Sequence, residues 1–237
     1  MSVFLIGIMS GCGLGSGKKK PAPDSNVART YTKDKKLVSE MEMQDGKRHG
    51  VGKTYYRNGV VNLEMTYVDD KREGKSRRFY ETGLLFQETD YVNDRVHGIQ
   101  KKFGIGGVVL SEARYEYDEP CTGLVEFNDG KRRSSFPSIV IRVIDKLQSS
   151  GTYILRLSVT EGASTVIFYK GNLTPSGCLH QGLMGLPKGP ARNSAEMRYD
   201  LSPGQFYMEE VNFIAAVTTR SGNTYVTQKT FPLSIKN

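Results

Sequence analysis

GKTYYRNGVVNLEMTY, residues 52–67, decides the fold of this chain. Two runs rich in Tyr, Val and Thr are split by Asn58-Gly59, the strongest short-range signal for an antiparallel hairpin closed by a two-residue turn. Glycine suits such a turn because, without a Cβ, it reaches positive φ at no steric cost. A turn centred on this pair sets Lys53 opposite Glu64 across the two strands.

The stretch has copies. Glu40, Glu64, Glu88 and Glu112 recur every 24 residues, and Tyr55, Phe79, Phe103 and Phe127 keep the same step. So do Tyr67, Tyr91 and Tyr115, and two glycine columns, Gly50-Gly74-Gly98 and Gly59-Gly83-Gly107. Independent columns on one period mark a repeat array. The same register about Thr82-Gly83 pairs Arg77 with Glu88, and about Gly106-Gly107 it pairs Lys101 with Glu112. Each such cross-strand pair stabilises by roughly 0.2–1 kcal/mol, so the glutamate column reads as structural and no catalytic residue is assigned to it. A second turn falls near Asp69-Asp70-Lys71 and Asn93-Asp94-Arg95, where Asn and Asp supply turn chemistry. The expectation is an all-β chain opening with an antiparallel hairpin meander.

Strand alternation divides these residues between two faces. Val61, Leu63, Met65 and Tyr67 share one with Leu85, Tyr91, Val109, Ala113 and Tyr115; this face is expected to be apolar and to need a cover, for which the C-terminal region is the candidate. The other face carries Lys53, Tyr55, Arg77, Phe79, Lys101 and Phe103, a basic–aromatic stripe taken as the candidate binding surface. Stripes of this kind stack nucleic-acid bases or sugars, but they also arise as ladder residues covering their neighbours. Nucleic acid is not the partner expected here.

The Tyr-Tyr-x-Asn-Gly turn, the glutamate after it, the aromatic strand end and the His49-Gly50 and His97-Gly98 pairs resemble the MORN-like repeats of proteins labelled YwqK-family antitoxins. The resemblance covers about residues 37–130 and implies a β-hairpin array over 31–133. Its label implies an alternative function, neutralisation of a toxin by direct protein binding. The chain departs from the pattern at Glu73, where His is expected, at Gly104, and in the fourth unit, where Pro120, Cys121 and Thr122 disturb the spacing. A degenerate last unit is what a capping repeat looks like.

With 38% hydrophobic and 24% charged residues, the chain has the composition of a folded protein. Its net charge of +8 is spread along the repeated strands and reads as a solvated surface. The apolar run Val3–Met9 is too short to span a bilayer, which takes about 20 residues. Met9-Ser10-Gly11-Cys12 resembles the lipobox of bacterial lipoproteins, although no Lys or Arg precedes the apolar run. That resemblance implies a signal segment over 1–12 and an acylated Cys12. Gly13–Pro23, GLGSGKKKPAP, cannot bury a core and reads as part of a flexible tether over 13–30. With Cys12 acylated, Cys121 and Cys178 either close one disulfide in an oxidising compartment or stay apart as buried thiols. No C-x-x-C pair is present, and no metal or cofactor is expected.

From residue 137 onward the texture changes. Strand-like runs at 138–144, 152–160, 165–171, 212–219 and 224–235, separated by Ser, Gly, Pro and Asn, suggest a β-sandwich over 137–237. Leu201-Ser-Pro-Gly-Gln-Phe-Tyr207 resembles the tyrosine-corner segment of fibronectin type III modules, which implies an Ig-like sandwich and a Tyr207 hydroxyl bonded back to the chain. The absence of Trp departs from that family. The loop 174–195 holds His180 beside Cys178, with no third ligand or orienting acid near. The functional expectation is a non-catalytic lipoprotein of the cell envelope, lipid-anchored, that binds a protein or an envelope polymer. No small-molecule substrate is identified. Gly13 carries no acidic retention signal, which favours the outer membrane.

Overall fold

In the computed structural model, residues 26–160 and 163–237 are described. Cys12, the signal segment and the tether up to residue 25 lie outside them. The repeat region comprises β1 (Val27–Tyr31), β2 (Leu37–Gln44), β3 (Lys47–Tyr55), β4 (Val61–Val68), β5 (Lys71–Phe79), β6 (Leu85–Val92), β7 (Arg95–Val96), β8 (Gly98–Phe103), β9 (Val109–Glu116), β10 (Glu119–Pro120), β11 (Val125–Asn128) and β12 (Lys131–Arg132). They form one 12-stranded sheet along the path β1-β2-β3-β4-β5-β6-β8-β9-β11-β12, with β7 on β6 and β10 on β9. The array is an antiparallel meander, and β1 brings Val27–Thr30 into the sheet, residues expected in the tether.

Register follows the glutamate column. Lys53 faces Glu64, Arg77 faces Glu88 and Lys101 faces Glu112. The turn that sets this register differs from the expected one. Gly59 N–H donates to the Tyr56 carbonyl and Tyr56 N–H to that of Val60, and only Gly59 has positive φ, +85°. This is a longer loop, a tight turn followed by a left-handed glycine. A bulge at the Thr54/Tyr55 step, where Asn62 is the extra residue, then returns the strands to the expected register. The opposite turns are the two-residue kind: Asp69-Asp70 and Asn93-Asp94 have positive φ at both positions, and Val68 pairs with Lys71 across the first.

The glycine column Gly50-Gly74-Gly98 sits where each long strand bulges, at φ of +102°, +76° and +117°. Each repeat is also tied to the next. Tyr56 donates to the Phe79 carbonyl at 2.7 Å and Tyr80 to that of Phe103 at 2.8 Å. Arg48 lies over the Tyr67 ring and bonds Asp70; Arg72 lies over Tyr91 and bonds Asp94. Gly104 replaces the next tyrosine, so the first tie ends there, whereas the second continues in Arg95, which lies over Tyr117 and bonds Asp118.

The C-terminal region packs two sheets face to face. β13 (Ile139–Lys146), β14 (Thr152–Val159) and β17 (Ala195–Asp200) form one, with the short helix α1 (Leu147–Ser150) between β13 and β14. β15 (Thr165–Lys170), β16 (Met184–Gly185), β18 (Phe206–Thr218) and β19 (Thr224–Lys236) form the other, in the order β16-β15-β18-β19. Leu155 and Leu157 of the first sheet meet Phe168, Val211, Phe213, Ala215 and Val217 of the second in the core. Loop residues Leu179 and Leu183 cover Ile214 and Val226 on the outer face of the second sheet.

The tyrosine corner does not form. Tyr207 lies on β18 with its ring 5.2 Å from that of Tyr199, and the nearby Glu209 carboxylate raises the pKa of its phenol. β18 begins at Phe206, six residues before the expected run, so Tyr207 stands within a strand and has no corner to close.

Candidate functional site

The charged face of the repeat sheet carries a row of paired side chains, with Lys75–Asp90 paired beside it at 3.0 Å. Arg29, Glu40, Lys53, Glu64, Arg77, Glu88, Lys101 and Glu112 stand opposite one another on successive strands, alternating in sign. Ion pairs close at 3.6 Å for Arg29–Glu40, 3.7 Å for Lys53–Glu64, 3.2 Å for Arg77–Glu88 and 2.8 Å for Lys101–Glu112. Lys75 adds a second cation to Glu88 at 2.9 Å, and its hydrogen bond, ahead of the opposing effect of burial, holds that carboxyl below its ordinary value. An alternating row solves a simple problem: like charges directly opposite repel, and a sheet this wide needs compatible neighbours at every rung.

The six stripe residues all lie on this face, though not as a free cationic strip. Lys53, Arg77 and Lys101 are each answered by a carboxylate, and Tyr55, Phe79 and Phe103 are half-buried at the strand ends. Tyr55 donates to Glu40 Oε1 at 2.6 Å; burial, then that carboxylate, pushes its phenol up to about 12. The surface therefore offers paired charges and aromatic edges, which suits orienting contacts with a large partner better than generic attraction of polyanions.

The opposite face is not the apolar surface expected. β4 and β9 supply Leu63, Met65 and Ala113, but their partners across the sheet are Arg78, Ser76 and Gln100, and the row continues through Gln87, Thr89 and Lys102. Buried Thr89 receives Gln87 Nε2 at 3.0 Å. Among the described residues the sandwich meets this face at one end, where Lys102 Nζ and Ser111 Oγ both reach Asn223 Oδ1.

That junction is the feature sequence reading missed. Glu126 of β11 is 2% exposed and accepts hydrogen bonds from Thr219 Oγ1 and Asn223 Nδ2, both at 2.7 Å, and from Arg133 Nη1 at 2.9 Å. Burial alone would raise its pKa, but those bonds hold the carboxyl below its ordinary value. A cavity of about 410 Å³ beside it is lined by Arg133, Thr219, Arg220 and Ser221 among others. A second clasp joins the regions: Cys121 and Cys178, both fully buried, form a disulfide. Around it Thr122 N–H donates to the Gly177 carbonyl, Leu179 N–H to that of Pro120, and Arg114 to that of Ser176. Glu126 fell just outside the 24-residue columns, and no local pattern distinguishes it from a surface acid.

His180 accepts the Gly182 amide on Nδ1 at 3.1 Å and sets Nε2 3.0 Å from the Asn172 carbonyl, which shapes its loop. Among the described residues no group of three or more His, Cys, Asp or Glu is placed to hold a metal ion.

A family model described as a MORN repeat variant matches residues 48–69 and 72–93, which are the hairpins β3–β4 and β5–β6. The chain thus carries MORN-type repeats there. No curated protein matches it.

Proposed function

We propose that this chain is a non-catalytic scaffold of the bacterial cell envelope, acylated on Cys12 and presenting its repeat sheet to a protein or envelope polymer. The observation that carries this reading is the charge ladder. A row of alternating, mutually paired side chains crosses the sheet from β1 to β9 with aromatic residues beside it. Such a surface fixes the orientation and identity of a partner through complementary charge, while carboxylates engaged this way are poorly suited to acid–base work. The disulfide suits an oxidising compartment, in keeping with the envelope and against a cytosolic antitoxin. The sandwich we read as Ig-like, because three strands ordered first, second and fifth face four ordered fourth, third, sixth and seventh. It serves as a rigid mount rather than a second swinging domain.

Site-specific photo-cross-linking in intact cells tests the reading. A photoreactive residue at Lys101 or Arg77, on the ladder face, should give adducts that the same residue at Arg78, on the opposite face, does not. Equal adducts from both faces, or none from either, would remove the ladder face as the binding surface.

A further inference from the structure

The ladder is unfinished at one end. Lys53, Arg77 and Lys101 each have a glutamate on both neighbouring strands, whereas Arg29 has Glu40 on one side and, among the described residues, nothing on the other. β1 is the terminal strand of the sheet path. Asn26 and Thr32 make their backbone bonds toward β2 and its turn, so the alternation of an antiparallel strand directs the amides of Val27, Arg29 and Tyr31 outward. On the ladder face those three residues form a row of apolar, cationic and aromatic side chains, with Tyr31 54% exposed. A groove of about 380 Å³ runs from Val27 and Arg29 across to Lys53 and Glu64.

We propose that β1 accepts an extended strand from another protein, one that places an acidic residue opposite Arg29 with apolar residues two positions to either side. This names a partner chemistry for the scaffold described above and rests on that reading. Strand addition draws its affinity from main-chain hydrogen bonds and its specificity from alternate side chains. Here the specificity comes from completing the ladder, as Glu88 completes it beside Arg77 and Glu112 beside Lys101. A second copy of the chain is disfavoured by the same rule. Antiparallel self-pairing of β1 centred on Arg29 sets Arg29 against Arg29, and the far edge, β12, offers it the cations of Lys131–Arg132, whereas like charges directly opposite destabilise.

The test uses the full-length acylated protein in detergent and two fluorescent, end-capped decapeptides of alternating Val and Thr, one with a central glutamate and one with a central lysine. The glutamate peptide should bind about tenfold more tightly, with the order reversed by Arg29→Glu. N-methylation of the alternate amides that face β1 should abolish binding to the unaltered protein, a readout independent of whether the variant folds normally. Equal affinities, no binding by either peptide, or indifference to N-methylation would overturn the proposal, as would a self-associated dimer that the glutamate peptide fails to displace. Ladder-face cross-links persisting alongside any of these results would leave the scaffold reading in place and remove the edge strand alone.

Discussion

Replacing Glu126 by Gln should loosen the two regions from each other more than any change on the exposed ladder. The residue is 2% exposed and its side chain takes three hydrogen bonds, from Thr219, Asn223 and Arg133. A carboxamide of the same shape has one accepting oxygen, so its amino group must face a donor that loses its acceptor. Hydrogen bonds to a charged group are worth about 1.5–3 kcal/mol, and a buried donor left unpaired costs a further amount of similar size. Arg133 remains 21% exposed and recovers part of its hydration, which brings the expected loss to about 3 kcal/mol. For a chain of this size each kcal/mol lowers Tm by about 2–4 °C, so the variant should melt about 6–12 °C lower at pH 7. Because the folded pKa lies below the ordinary 4.5, this stabilisation is fully present above pH 4.5 and fades as pH falls through the folded value. The gap between the two proteins should therefore narrow in acid. Glu112→Gln, on the exposed ladder, is the control, expected to cost less than about 1 kcal/mol. Calorimetric melts at pH 7 and in acid decide it: equal Tm losses for Glu126→Gln and Glu112→Gln, or a gap unchanged by acid, would refute the reasoning.

A Lys53/Glu64 double-mutant cycle in urea should show coupling of about 0.2–1 kcal/mol, and zero coupling would sink the pairing. Gly59 has φ of +85° with open space around a would-be Cβ, so Gly59→Val should cost about 1–2 kcal/mol from backbone strain alone. Gly59→Asn should cost less, and equal costs in chemical denaturation would contradict the left-handed assignment. Reducing Cys121–Cys178, which closes a separation of 57 residues, should cost about 4 kcal/mol by loop entropy. Hydrogen exchange should then accelerate at Thr122 and Leu179, and unchanged exchange there would show that the clasp bears no strain between the regions.

Much of the repeat sheet was legible because one glutamate column on a strict period fixes both register and face. The turn was misread at Asn58-Gly59 without harm to the register, since the longer loop and the bulge at Asn62 offset each other. The apolar face was overestimated for a simpler reason: it rests on Leu63, Met65, Leu85 and Ala113 of β4, β6 and β9, whereas Ser76 and Arg78 of β5 and Gln87 and Thr89 of β6 share it. The short strand Ala195–Asp200 escaped notice because Glu196, Arg198 and Asp200 make it look like a loop, yet Arg156–Glu196 pairing at 2.7 Å holds it in place. Glu126 and its partners Thr219 and Asn223 lie more than ninety residues apart in sequence. Only the docking of the two regions brings them together, and no local pattern carries that information.

Intact mass analysis of the N-terminus, on protein from a native membrane fraction with Cys12→Ala alongside, tests the envelope-scaffold account most directly. The account predicts a chain beginning at an acylated Cys12, with the acyl mass and the membrane association both lost in the variant. An unmodified Met1 on protein recovered from the cytosol would contradict it and favour toxin neutralisation by direct binding.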